Sequence, residues 1–230
     1  MEKQEFEGLT TMNLPYEGFR FNAKRVGPKN FIGLRNGNYG KGFRMPTMPE
    51  LVPLVHASLG NQKYGIAKDV IKTLEKHWLT GNTGILYVPK GMFVQDNPEL
   101  KDGRISMDPE VLESKLGSHE EKKVVFSDDG SVRFTPYDFK KELQNPLELF
   151  TNKGISALVG GEENAVKLAT VAEHYEEDPY FWVLGYTDFP VTRVADMYSH
   201  ERNNQFVIRA NNDESFGDNY SFGVQEIEQE

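Results

Sequence analysis

The chain has 230 residues, 26 basic against 35 acidic, for a net charge of −9, and it contains no cysteine. It is long enough to bury a core as one domain, residues 1–230, without metal or disulfide staples, and disulfides, thiolate zinc sites and cysteine nucleophiles are excluded. An acidic balance with no basic block argues against nucleic acid and anionic membranes as partners, and no apolar run reaches bilayer length.

The start, MEKQEFEGLT, is acidic and polar, unlike a secretory or transit peptide. Residues 1–44 read as short strands and turns, with an apolar strand core at Phe31–Leu34 before the turn chemistry of Asn36-Gly37. Thr47-Met48-Pro49-Glu50 is a capping box that opens a first helix, and Pro53 falls near its first turn. A second helix fits Tyr64–Leu79, with Ile66, Val70, Leu74 and Trp78 toward one face and Gly81 as its C-terminal cap. Residues 82–152 read as an insertion: a strand at Ile85–Val88, a helix from Asp108, and a hairpin turning at Asp129-Gly130. A third helix runs from about Glu162 to Tyr175. Four strands follow, at Tyr180–Gly185, Thr192–Tyr198, Gln205–Arg209 and Ser221–Glu226. The fold class is α+β.

Motifs for catalysis are missing: there is no Walker A loop, no GxGxxG, no HExxH and no GxSxG. Gly160-Gly161 could cradle an anion at a helix start, but a helix start with flexible glycines is the commoner meaning. Asp128-Asp129 sits at a turn tip, where Asp is favoured for backbone reasons. The five histidines show no ligand spacing on one face. The run Asn211–Ser215 is no EF-hand, because Phe222 stands where the final glutamate belongs. No metal and no cofactor is expected.

The most informative stretch is Arg193–Glu226. Phe206 and Ile208, then Phe222 and Val224, keep a strand-like beat, while five asparagines fall between His200 and Tyr220 among Arg, Asp, Ser, His and Tyr. Two readings stand: polar loops on an ordinary domain, or a recognition surface on a fixed frame.

Three segments together carry a resemblance. FRMPTMPELVPLV (Phe43–Val55) resembles the opening of the first helix of bacterial and archaeal C-type-lectin-fold domains; YFWVLGYT (Tyr180–Thr187) resembles that fold's Trp-containing central strand; FGVQE (Phe222–Glu226) resembles its closing strand. RVADMYS, a polar mixture and then SFGVQE is similar to archaeal variable proteins of diversity-generating retroelements. Gln225 stands where the closing strand usually has arginine, and the Glu-Pro-Asn sugar motif is missing.

The resemblance implies a C-type-lectin-like domain with a central insertion and a variable ligand-binding region at 199–222. In that family, codons are diversified at adenines, so an Asn codon can become Asp, His, Tyr, Ser, Arg or Val. His200, Arg202, Asn203, Asn204, Val207, Arg209, Asn211, Asn212, Asp213, Ser215, Asp218, Asn219 and Tyr220 are all reachable, whereas Glu201, Gln205 and Glu214 are not. The implied partner is a macromolecule, a surface protein or glycan of a host or neighbouring cell, met by a virion or cell-surface protein. Two other readings remain: an enzyme using the acidic residues between Asp96 and Asp138, with or without a metal, and a structural virion component.

Overall fold

A computed structural model describes residues 5–7, 11–200 and 204–227. The chain opens with strands β1 (Glu5–Glu7), β2 (Thr11–Leu14) and β3 (Phe19–Lys29), then helices α1 (Phe31–Arg35), α2 (Met48–Leu59) and α3 (Gly65–Lys76). Next come β4 (Trp78–Val88), β5 (Gly91–Asp96), β6 (Glu99–Lys101), β7 (Arg104–Ser106) and helix α4 (Pro109–Lys115). Strands β8 (Leu116–Glu121), β9 (Val124–Ser127), β10 (Val132–Thr135) and β11 (Glu142–Leu143) precede α5 (Pro146–Leu149), α6 (Lys153–Val159) and α7 (Glu162–Ala172). The last strands are β12 (Glu177–Trp182), β13 (Val191–His200), β14 (Gln205–Asn212) and β15 (Asn219–Glu226).

Thirteen of these strands form one mixed sheet. Its main path runs β1-β2-β3-β15-β4-β13-β14-β12-β11, and β5, β10, β9 and β8 extend it from β4. Helices α2, α3, α6 and α7 cover one face, where Leu51, Val55, Val70, Leu158 and Leu168 meet Met197, Phe206, Ile208 and Phe222. The opposite face is covered only in part. Phe31, Leu34, Tyr39 and Met45 cross it and bury Val194 of β13.

Helix α2 shows how the sequence sets a local structure. Glu50 accepts the Thr47 amide at 2.7 Å, as a capping box requires, and also pairs with both terminal nitrogens of Arg44. The Met48 amide, an orphan at the helix start, is taken by Thr83 Oγ1 from β4 at 2.9 Å. Pro53 lies inside the helix and has no N–H to give the Pro49 carbonyl. Asn164 of α7 donates to that carbonyl instead, at 3.1 Å.

Several boundaries differ from the sequence-based expectations. Phe31–Leu34 is helical, started by the Asn30 side chain on the Gly33 amide. Helix α3 stops at Lys76, and Trp78 and Gly81 belong to β4. Gly81 is glycine because a Cβ there would lie 2.7 Å from the Met48 nitrogen. Gly160 caps α6 in the left-handed region (φ 84°) and Gly161 starts α7 at φ 123°, so the pair is a joint between helices. The segment 82–152 divides: β4 and β5 pair within the sheet, while β6 and β7 form a separate ribbon.

Gly91 offers a test of the packing between β5 and β10. A Cβ there would fall 2.3 Å from the Thr135 carbonyl oxygen, which is backbone and cannot swing away. Gly91→Ala is expected to lower stability by about 1–3 kcal/mol, read as a shift of the urea midpoint; an unchanged midpoint contradicts the packing.

Candidate ligand-binding site

The residues expected to vary separate into three groups. The first is buried. Asp196 on β13 is fully enclosed, and Arg209 grips it with two bonds, Nε to Oδ1 at 2.8 Å and Nη2 to Oδ2 at 2.6 Å. Asn212 donates to Asp196 Oδ2 at 2.6 Å and reaches Asn219 Oδ1 at 3.3 Å, while Asn219 donates to the Phe216 carbonyl. The Arg209 guanidinium lies 3.6 Å from the Trp78 ring centroid and 5.1 Å from that of Phe216. Arg209, Asn212 and Asn219 were expected on an exposed surface; they form the interior of this end of the sheet.

The backbone explains why. Val194 pairs with Asn212 but Asp196 pairs with Arg209, so two steps on β13 face three on β14. The extra residue is a bulge, and it turns Asn212 to the same side as Arg209. Strict alternation would have separated them.

Tyr220 is also buried, against expectation. Its ring lies 4.3 Å from that of His77, and Arg25 sits 4.5 Å from its centroid. Gly27 makes room for it, since a Cβ there would fall 2.5 Å from the Tyr220 ring.

The second group is accessible. Val207 and Asn211 are half-buried on β14, and Asp213, Ser215 and Asp218 are exposed in the loop between β14 and β15. Asp213 accepts the Ser215 amide and hydroxyl, which hold its carboxyl below the usual range. Glu214 anchors this loop: its carboxylate accepts the Ile105 amide and its carbonyl accepts the Phe31 amide. Asn204 is half-buried at the turn into β14, with a φ of 47°. The third group, the His200 side chain with Arg202 and Asn203, lies outside the described residues.

Val207 sits in a groove of about 330 Å³ with Trp78, Tyr180, Trp182, Tyr198 and Gln205. Register builds it. Tyr198 and Tyr180 flank Val207 on the adjacent strands, Trp78 lies 5.0 Å from Tyr198 by ring centroids, and Leu143 continues the row beyond Tyr180 at the sheet edge. Trp182, 47% exposed, stands opposite Arg209. Four aromatics thus share the uncovered face, and the Gln205 amide fixes one end by donating to the Asp178 carbonyl at 2.9 Å. The sequence carried one signal for this: Tyr180 and Trp182 alternate with buried Phe181, placing aromatics where polar residues are usual. Trp78 gave none, because it continued the helical period of α3.

Several acidic residues between Asp96 and Asp138 do structural work. Asp129 closes its turn by accepting from the Ser127 hydroxyl and from Ser131, which pulls its carboxyl down to about 2. Asp96 binds Thr83 and Arg133. A second hollow, of about 270 Å³, holds Lys122, Lys140 and Lys153, each already on a carboxylate: Glu162, Glu148 and Asp138. Among the described residues, no three His, Asp or Glu side chains are grouped to hold a metal ion.

No family model matches the chain, and no curated protein does. A solved structure is similar: a protein of Nanoarchaeota in which the C-type lectin fold accommodates massive sequence variation. The likeness has a TM-score of 0.55 at 17% identity and covers 88% of this chain and 96% of that one. The fold described above is thus the C-type lectin fold.

Removing one partner of a buried ion pair strands the other charge, so Arg209→Ala is expected to lower stability by about 3–5 kcal/mol in urea unfolding. Burial pushes the Asp196 carboxyl up to about 6, against the pull of Arg209 and Asn212. Between its ordinary value near 3.8 and about 6, the folded chain therefore holds a proton that the unfolded chain has released. Relative to Asp196→Asn, the parent is expected to lose stability as pH rises through that window. A difference that stays flat from pH 4 to 7 refutes the shift.

Proposed function

We propose that the chain is a ligand-binding protein that uses the uncovered sheet face around Val207 and the 213–218 loop as a diversified recognition surface. The observation that carries this reading is the groove: large aromatics stand at solvent on a face whose backbone is fixed from below. Such a surface has the logic of a paratope, rigid aromatic anchors with exchangeable neighbours. The anchors of the frame, Gln205 and Glu214, are residues that adenine-directed change of an Asn codon does not produce. Val207, Asn211, Asp213, Ser215 and Asp218 are accessible and are residues that it does.

The fold neighbour's capacity for sequence variation supports the same reading, and with it assignment to an archaeal, retroelement-diversified variable protein. The partner on this reading is a macromolecule on a host or neighbouring cell, and the chain acts from a virion or cell surface. No helix among the described residues is long and apolar enough to cross a membrane. Binding is favoured over catalysis because Asp129 is engaged in its turn and Asp96 in a buried ion pair, and the described His, Asp and Glu side chains form no metal-holding group.

Sequencing the gene's surroundings tests diversification. The expected finding is a near-copy of the coding segment for 200–220, beside a reverse transcriptase gene, that differs only at adenines. Alleles changing Arg209, Asn212 and Asn219 as often as Val207 and Asp218 would contradict the proposal. In the protein, Val207→Asn, Asn211→Ser and Asp218→Asn are each expected to shift stability by less than about 0.5 kcal/mol. Exchanging the whole 200–220 segment for another allele's should redirect binding to a different target cell or particle in a pull-down, while the thermal midpoint holds.

A further inference from the structure

Resting on that reading, we infer that the groove of Trp78, Tyr180, Trp182 and Tyr198 recognises a cationic side chain, arginine or lysine, on a basic segment of a partner protein. Two observations point to positive charge. Within the chain, a guanidinium already lies on this aromatic face: Arg209, 3.6 Å from the Trp78 centroid, opposite Trp182 in register. Ring faces are electron-rich and hold cations there. The charge of Arg209 is met by Asp196 through two short hydrogen bonds, so it leaves little field to repel a second cation.

The surroundings are acidic. Glu176, Glu177 and Asp178 are exposed at the start of β12, where Glu177 pairs with Gln205 and Asp178 holds its amide at the mouth of the groove. The chain as a whole carries −9. A basic segment would place its aliphatic stems along Val207 and Leu143 and its charged ends over the rings of Trp182 and Tyr180, steered by the acids at the mouth. A neutral sugar could hydrogen-bond to those acids but would feel no net attraction to their charge, and an acidic peptide would be repelled.

Both tryptophans of the chain, Trp78 and Trp182, line this groove, so intrinsic fluorescence reads it directly. The full chain is titrated with a blocked hexapeptide of alternating arginine and glycine, with its glutamate counterpart, and with chitotriose. The expected result is a saturable change with the arginine peptide alone, weakening as salt is raised. Val207→Lys, which keeps both reporters, is expected to reduce affinity about tenfold. Glu177→Gln with Asp178→Asn should reduce both the affinity and the salt dependence. If Val207→Lys alters the circular dichroism, Trp182→Ala replaces it, read through Trp78; Leu147→Ala, exposed on α5, serves as the unaffected control.

Equal response to the glutamate peptide, response to chitotriose alone, or no response to any probe overturns the cationic assignment. Those outcomes leave the recognition reading standing, since it is judged by the alleles and the segment exchange.

Discussion

The Asp196 carboxylate is the constraint on which this end of the molecule depends. It is fully buried, and an ion taken out of water loses several kcal/mol of solvation that only well-placed partners recover. Recovery here needs three of them: the two nitrogens of Arg209 and the amide of Asn212. Each partner belongs to β14, and Asn212 in turn reaches Asn219 at the start of β15. The pair thereby sets which residues of three strands must face each other. Its contribution lies in specifying that register; a well-packed apolar cluster of equal volume would serve stability as well.

The groove inherits its geometry from that arrangement. Arg209 is held 3.6 Å from the Trp78 ring centroid with two of its nitrogens committed to Asp196, and Trp78 is in turn set beside Tyr198. Glu214 pins its loop to β7 and α1, and Phe216 of that loop lies 5.1 Å from the Arg209 guanidinium by its ring centroid. Binding to a surface fixed in this way avoids the ordering of side chains that weakens association. Rigidity below and exposure above are two consequences of one buried charge.

Parts of this were legible in the sequence because they rest on local rules. The Thr47–Glu50 capping box, the turn at Asp129-Gly130 and the alternation of Phe206 with Ile208 each depend on residues within a few positions of one another. Other parts depend on events that short-range patterns do not record. The bulge in β14 changes the parity of the strand, so Asn212 faces Asp196 although counting from Ile208 sends it to the opposite face. Asparagine composition looks the same in a solvated loop and in a buried hydrogen-bond network; only the partner on a strand sixteen residues earlier decides between them. Trp78 lost its identity as a strand residue because helix and strand abut with only His77 between them.

A limit on variation follows from the same physics. Codons able to change at adenines include those that could encode Arg209, Asn212 and Asn219, yet any copy that loses one of these leaves a buried polar group without its partner. An unpaired buried polar group is penalised by about 1–3 kcal/mol, more when it is charged, against a total stability of roughly 5–15 kcal/mol for a domain. Copies altered at Val207 or Asp218 carry a smaller penalty, since Val207 meets the groove and the mostly exposed Asp218 makes only a long 3.6 Å contact with His77. Folding would therefore filter a randomised population before any ligand does. On the proposed diversification, what survives would be variation at the groove floor and the loop tip, displayed on a register that the Asp196 network holds constant.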